Sequence, residues 1–140
     1  MNIKSNLSKT ILVIAGSDPS GGAGIQADLK TLTSLGVYGM TAITALTEQN
    51  TKGVTSIFEI PVDFVIRQID CCLSDIRANA IKIGMIHNSK LINGVYEALK
   101  NNGVIGNRNV KIVLDPVMVA KGGQKLLKDD AVISLKNFVK

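Results

Sequence analysis

A glycine-rich loop that joins an apolar run to a helical pattern is the first place in this sequence with residues suited to chemistry. The stretch IAGSDPSGGAGIQADLK occupies residues 14–30 and contains several glycines, one proline and two acidic residues. Loops of this kind often bind phosphate or a dinucleotide, because backbone N–H groups converge where a helix begins. The residue types in and around the loop decide which class of ligand fits.

Two familiar phosphate-binding patterns do not describe the loop. A P-loop requires Lys followed by Ser or Thr after its last glycine, so that the lysine reaches the outer phosphates. Ile25 and Gln26 follow Gly24 instead, which excludes that pattern. A dinucleotide fingerprint requires an acidic residue about 20 residues beyond its glycines, and the absence of an acid at the right place disfavours it. A turn with a purely structural role stays open.

Asp28 lies on the side of the following helix that the sequence predicts to be buried. At about 100° per residue it falls within the apolar arc that runs from Leu29 to Leu35 and also contains Ile25 and Leu32. A carboxylate on a buried helix face requires a partner. Amides of the glycine-rich loop are one candidate partner, and a polar group of a ligand is the other.

Polar and thioether side chains gather where the predicted parallel strands end. Because ligands of open parallel sheets bind beyond the carboxyl ends of the strands, these residues form a candidate site. They are Gly16 after the first strand, residues 47–50 after the second, residues 84–85 after a later strand and residues 115–118 after another.

The chemistry of these strand ends suits a flat, uncharged ring. The amide of Gln49 both donates and accepts hydrogen bonds, as recognition of a neutral heteroaromatic ring requires. Met85, Val117 and Met118 would supply apolar walls. Together with Asp28, these groups predict a slot for a small planar ligand with a polar edge.

The elements that must position these residues are apolar strands alternating with amphipathic helices. Strands are predicted at 11–15, 40–46, 53–60, 80–85 and 111–115, and helices at 24–35, 62–76, 88–103 and 127–140. This alternation predicts an α/β fold with a mostly parallel sheet and flanking helices. Because the chain stops just after a helix, we expect an incomplete fold whose uncovered sheet edge favours a homodimer.

Composition argues against several classes of partner and site. The 140 residues form about one domain, and the net charge of +5 comes from scattered lysines, which argues against nucleic acid. No apolar run approaches the ~18 residues that predict a membrane span. Adjacent Cys71 and Cys72 are interpreted as small buried thiols in a reducing cytoplasm, and no spacing indicates a metal site. His87 is interpreted as a surface cap of a helix.

Four motifs carry a resemblance to a known family. They are AGSDPSGGAGIQADLKT at residues 15–31, LGVYGMTAITALTEQNTKGV at 35–54, KIGM at 82–85 and VLDPVMVAKGG at 113–123. In order and content they resemble the bacterial hydroxymethylpyrimidine/phosphomethylpyrimidine kinases of thiamine biosynthesis. The resemblance implies a three-layer, ribokinase-like fold, with residues 1–140 as the N-terminal part of a single domain.

The resemblance also implies a reaction and a set of binding residues. Members of the family transfer the γ-phosphoryl group of ATP, with Mg²⁺, to 4-amino-5-hydroxymethyl-2-methylpyrimidine and then to its monophosphate. Gln49 would hydrogen-bond the pyrimidine edge, Asp28 would anchor the hydroxymethyl side, and Asp115 is a candidate near the phosphates. Thr47 stands where the family often has an apolar residue. The positions that match the pyrimidine pocket are Gly16, Ala23, Asp28, Thr47, Gln49, Met85 and Val117.

The family's catalytic motif does not occur in these 140 residues. Family members carry a later Gly-Thr-Gly-Cys motif, whose backbone amides form an anion hole for the transferring phosphate, and most of their nucleotide contacts lie in the same half. We therefore assign no catalytic residue or metal ligand here and expect little kinase activity from this polypeptide alone. A non-catalytic pyrimidine-binding fragment and a kinase of pyridoxine-type rings stay open as alternatives.

Overall fold

The computed structural model describes residues 9–119, 123, 127 and 131–138. Within this part, the strands and helices alternate largely as predicted. The strands are β1 (Thr10–Ala15), β2 (Tyr38–Ile43), β3 (Ala45–Asn50), β4 (Gly53–Glu59), β5 (Ala80–Ile83) and β6 (Lys111–Leu114), and the helices are α1 (Gly24–Ser34), α2 (Val62–Asp75), α3 (Ser89–Asn101) and α4 (Ala131–Phe138).

A four-stranded parallel sheet in the order β2-β1-β5-β6 forms the centre of the fold. Alternate residues of β1 enter two different cores, which explains why this strand is a continuous apolar run. Leu12 and Ile14 belong to the larger core, which the residues of α2, α3 and α4 complete. Val13 and Ala15 face α1 and pack with Ile25. The α/β prediction is therefore confirmed.

The segment predicted as one strand at 40–46 is two strands, so that prediction is wrong. The chain leaves the parallel sheet at Thr44, whose N–H donates to Ala15 O at 3.0 Å and whose hydroxyl donates to Met85 O at 2.7 Å. Beyond it, β3 pairs with β4 as a separate antiparallel hairpin. Residues 47–50 therefore lie within a hairpin strand rather than after a strand of the parallel sheet.

Two of the predicted helix ends are confirmed. Gly36 follows α1 with φ +68°, and Val37 N donates to Leu32 O at 2.9 Å, as in a Schellman motif. Asn88 caps α3, because its side chain accepts a hydrogen bond from Leu91 N at 2.8 Å. The helix predicted at 127–140 is described only over α4, and the rest of that range, apart from Leu127, lies outside the described residues.

The environments of one histidine and two cysteines differ from their predictions. His87 is buried rather than at the surface, because the segment after β5 meets the end of β4, where His87 Nε2 lies 3.1 Å from Glu59 Oε2. Cys71 is exposed and Cys72 only partly buried, because Cys72 alone of the two turns towards β2, with its Sγ 3.9 Å from Thr41 O.

No helix in the described part of the chain is long and apolar enough to cross a membrane.

The strand β6 lies at the edge of the sheet within the described residues. Val113 on this strand is 59% exposed and Ile112 is 36% exposed. Among the described residues, no further strand pairs with β6. Self-association through this edge stays a prediction.

Candidate functional site

One cavity of about 390 Å³ lies at the carboxyl ends of β1 and β5, between the start of α1, the hairpin and the segment after β6. The eight residues that the family resemblance assigns to ligand or cofactor contacts all line this cavity, although their binding roles stay predictions. The lining residues are Ala15, Gly16, Ser17, Ala23, Gly24, Ala27, Asp28, Thr47, Gln49, Lys82, Gly84, Met85, Asp115, Val117 and Val119.

The glycine-rich loop is organised around Asp18, which sequence reasoning missed. This side chain is 2% exposed. It accepts hydrogen bonds from Ser20 N and Oγ at 2.9 and 2.7 Å, from Gly22 N at 3.1 Å and from Ala23 N at 2.8 Å. Burial raises the pKa of Asp18, but these hydrogen bonds together lower it below its ordinary value. The order Asp-x-Ser is typical of an Asx turn and was the available signal.

Because Asp18 binds the loop amides, those amides are engaged within the protein. The N–H groups of Gly22 and Ala23 both point at its carboxylate. In a phosphate-binding loop such N–H groups would point at the ligand instead. The loop therefore forms a wall of the cavity rather than an anion cradle, in agreement with the sequence-based preference for an uncharged ligand.

The base of the loop is held by backbone contacts and by close packing. Ile25 N donates to Gly16 O at 3.0 Å, and Asp18 N donates to Gln26 Oε1 at 2.7 Å. An added Cβ at Gly16 would lie 2.8 Å from Cε of Met85. Gly16 therefore allows the Met85 side chain, which is 8% exposed, to reach the cavity wall.

Asp28 has the partner that its helical position requires, and the partner is Lys82. Asp28 Oδ2 lies 2.8 Å from Lys82 Nζ, and the two side chains are 24% and 26% exposed. The sequence had offered the loop amides or a ligand group as the partner of Asp28. The loop amides bind Asp18 and not Asp28. The sequence did give a signal for Lys82, since KIGM places a lysine inside an apolar strand.

The hairpin brings Gln49 to the cavity, and Thr47 attaches it to the loop. Thr47 N donates to Ser17 Oγ at 3.0 Å, and Thr47 Oγ1 donates to Ser17 O at 2.9 Å. Gln49 Oε1 lies 3.3 Å from Thr47 Oγ1, next to a β-bulge between Glu48 and Gln49. A threonine rather than an apolar residue at position 47 therefore has a structural use.

The last wall comes from the segment that follows β6. Asp115 N donates to Ile83 O at 2.8 Å, and Val117 N donates to Asp115 O at 2.8 Å, which turns Asp115 and Val117 to the cavity. Met118 is 47% exposed and does not line the cavity, so its predicted place in the apolar wall is wrong. Val117 and Val119 line the cavity instead.

The charges at the cavity are few. Asp28 and Lys82 form an ion pair, and Asp115 adds an exposed carboxylate. Among the described residues, no group of three or more His, Cys, Asp or Glu side chains could hold a metal ion. The arrangement offers an amide and a carboxylate for hydrogen bonds and apolar surface for a ring, which suits a small polar heterocycle.

Comparisons with known proteins show which family this chain is similar to. The phosphomethylpyrimidine kinase family matches residues 18–140. The hydroxymethylpyrimidine/phosphomethylpyrimidine kinase of Escherichia coli K12 is 48% identical over 126 residues, which are 90% of this chain and 46% of that protein. The chain therefore spans about half the length of the curated relatives it matches.

Solved structures share the fold. Phosphomethylpyrimidine kinase from Clostridium difficile superposes with a TM-score of 0.80 at 45% identity, over 91% of this chain and 53% of that one. Pyridoxal kinase from Staphylococcus aureus in complex with pyridoxal superposes with a TM-score of 0.75 at 32% identity, over 94% of this chain and 45% of that one. The ribokinase-like prediction is confirmed by these neighbours.

Proposed function

Because the chain belongs to the phosphomethylpyrimidine kinase family, we propose that it forms the pyrimidine-binding part of an ATP-dependent kinase of thiamine biosynthesis. Its substrates would be hydroxymethylpyrimidine and the corresponding monophosphate. The observation that carries the proposal is that Asp28 and Gln49, which are distant in sequence, line one cavity. The internal engagement of the loop amides by Asp18 supports an uncharged ring at this end of the site.

Each polar group has a defined role in the proposal. The Gln49 amide pairs with a ring nitrogen and the exocyclic amine, since one amide both accepts and donates. The Asp28 carboxylate accepts a hydrogen bond from the hydroxymethyl group. Met85 and Val117 pack against the ring faces, while Gly16, Ala23 and Thr47 complete the wall around it.

The described residues supply only a small part of the contacts that ATP and Mg²⁺ require. Mg²⁺ in kinases is held by one or two carboxylates together with substrate phosphates. The exposed carboxylate of Asp115 at the cavity fits such a ligand, and no other part of a metal cluster accompanies it within the described residues. Bound Mg²⁺ would neutralise charge on the transferring phosphoryl group. We propose that the nucleotide contacts and the anion hole correspond to the half of the relatives that this chain does not span.

A second candidate is binding of a pyridoxal-type ring. The likeness to the pyridoxal complex of the Staphylococcus aureus kinase, at 32% identity, favours considering it. Both ligands are flat heteroaromatic rings with a hydroxymethyl group, so the apolar walls do not separate them. The amide of Gln49 favours the pyrimidine, because an aminopyrimidine edge offers it both a donor and an acceptor.

Calorimetric titration of this chain tests the proposal. The pyrimidine alcohol is expected to bind, and pyridoxal is expected to bind more weakly. Addition of Mg-ATP, followed by an assay for ADP, then separates binding from turnover. Failure to bind either ring contradicts the site, stronger binding of pyridoxal favours the second candidate, and turnover by this chain contradicts the role given to the other half.

Substitution of Gln49 tests the hydrogen-bonding role directly. Gln49→Ala is expected to weaken pyrimidine binding by about 1–3 kcal/mol, because it removes the paired amide. The matched control is Asn101→Ala, which removes an exposed amide at the end of α3, away from the cavity. An unchanged affinity in Gln49→Ala would exclude this residue from the site.

A further inference from the structure

Lys82 is a charged residue in an otherwise uncharged row of the sheet. On the face that α1 covers, the cross-strand neighbours in this row are Thr41, Val13, Lys82 and Val113. The Lys82 side chain is 26% exposed, so most of its surface is removed from water. A partly buried ammonium group requires a partner, and the contacts of its Nζ therefore explain its presence here.

The Lys82 side chain extends along the sheet to Asp28. Its Nζ lies 2.8 Å from Asp28 Oδ2, although the two residues are 54 positions apart in the chain. Gly84 leaves the space for this path, because an added Cβ there would lie 3.0 Å from Lys82 Nζ and 2.9 Å from Ala15 Cβ. The glycine that follows β5 thus leaves room for this ammonium group to reach α1.

The ion pair forms a wall between two hollows. Asp28 and Lys82 both line the candidate ligand cavity. They also both line an apolar groove of about 530 Å³ beneath α1, next to Leu32 and Val113. Because the pair borders both hollows, a change in the position of the Asp28 carboxylate would alter the polar edge of the ligand cavity.

We propose that Lys82 is a positioning residue of the pyrimidine site, an inference that rests on the proposed function. It holds the Asp28 carboxylate at the cavity wall, where the carboxylate accepts the hydrogen bond of the ligand's hydroxyl group. A carboxylate has about four acceptor sites, and Lys82 uses one of them, so acceptor capacity for the ligand remains. Without the ammonium group, the Asp28 side chain loses the contact that fixes its rotamer.

A purely structural role is the rival explanation, in which the pair only ties α1 to β5. The two roles differ in their dependence on the ligand. A positioning role acts on ligands that carry the hydroxyl group, whereas a structural role affects every ligand of the cavity alike. The informative pair of ligands is therefore 4-amino-5-hydroxymethyl-2-methylpyrimidine and 4-amino-2,5-dimethylpyrimidine, which differ by that hydroxyl alone.

Calorimetry with these two ligands, on the full chain and its variants, tests the inference. The wild-type chain is expected to prefer the alcohol by about ten- to hundredfold, the value of one hydrogen bond to a charged group. Lys82→Met is expected to lose that preference while keeping its affinity for the dimethyl compound, and Lys82→Arg is expected to restore most of it. Lys100→Met removes an exposed lysine of α3 and is expected to change neither affinity.

The possible outcomes separate the two proposals. An equal loss for both ligands in Lys82→Met overturns the inference in favour of a structural tie, and an unchanged preference overturns it because Asp28 is then positioned without Lys82. Wild-type protein that binds neither ligand overturns the proposed function instead. If circular dichroism shows that Lys82→Met does not fold, Lys82→Gln is judged by the same two criteria.

Discussion

Removal of the Asp18 carboxylate is the most direct test of how the loop is built. Asp18→Ala deletes four hydrogen bonds, two of them from the amides of Gly22 and Ala23. Hydrogen bonds to charged groups contribute about 1.5–3 kcal/mol each, but water replaces part of this where the donors are exposed, as Gly22 and Ala23 are. We therefore expect a loss of about 2–4 kcal/mol in the free energy of unfolding.

Urea unfolding followed by circular dichroism measures this loss. The matched control is Asp63→Ala on α2, where a 68% exposed carboxylate pairs with Arg67, and little change is expected from an exposed pair. A loss below about 0.5 kcal/mol in Asp18→Ala would refute the claim that this carboxylate organises the loop. If the loop amides instead bind a ligand anion, Asp18→Ala would gain phosphate affinity while losing little stability.

The pH dependence of the same side chain provides an independent check. The folded state lowers the pKa of Asp18, since the hydrogen bonds to its ionised form outweigh the opposing effect of burial. The stabilisation is therefore complete above the unfolded pKa of about 3.9 and is lost as the pH falls through the lower folded value. The difference in unfolding free energy between wild type and Asp18→Asn should be constant near neutral pH and shrink below about pH 4. A difference that grows on acidification would contradict this sign.

Glycine and cysteine variants test the local geometry elsewhere. Gly36→Ala should cost about 1–2 kcal/mol of stability through its positive φ alone. Gly24→Ala should cost more, because its Cβ would also clash with the Gly16 carbonyl oxygen. Equal losses in urea unfolding would contradict the clash. Iodoacetamide should modify exposed Cys71 faster than Cys72, whose pKa is raised by burial and then by its neighbour. Mass spectrometry of Cys71→Ser and Cys72→Ser decides this, and faster labelling of Cys72 would contradict the assigned environments.

The strands and helices were predicted well from the sequence wherever a local pattern matches the burial of the residues in the structure. The apolar run of β1 and the left-handed Gly36 after α1 are signals that do not depend on distant residues. The break at Thr44 was missed because MTAITAL contains neither glycine nor proline. That break depends on a tertiary contact, the hydrogen bond from the Thr44 hydroxyl to Met85 O, and no local pattern indicates it.

The sequence also predicted which residues gather at the site, but not how they are supported. Gln49 and Asp28 meet in one cavity even though Gln49 lies in a hairpin strand rather than after a parallel strand. The agreement has a physical reason, because the hairpin begins directly where β2 ends and stays at the same edge of the sheet. The supporting carboxylate of Asp18 was missed although its partners are near neighbours in the sequence. The pairing of Lys82 with Asp28, 54 positions away, is fixed only by the folded chain.

The distribution of charge in the cavity explains how a kinase of this family could bind the ring and the phosphates with different parts of the chain. The transferring phosphate brings several negative charges, yet the loop amides bind Asp18 and the Lys82 ammonium group is paired with Asp28. These groups leave little positive potential for a triphosphate on the described side of the cavity, because each is already balanced within the protein. Phosphoryl transfer depends on electrostatic stabilisation of that charge. Under the proposed function, the described residues would therefore select and orient the ring, and groups other than these would meet the charge of the phosphates.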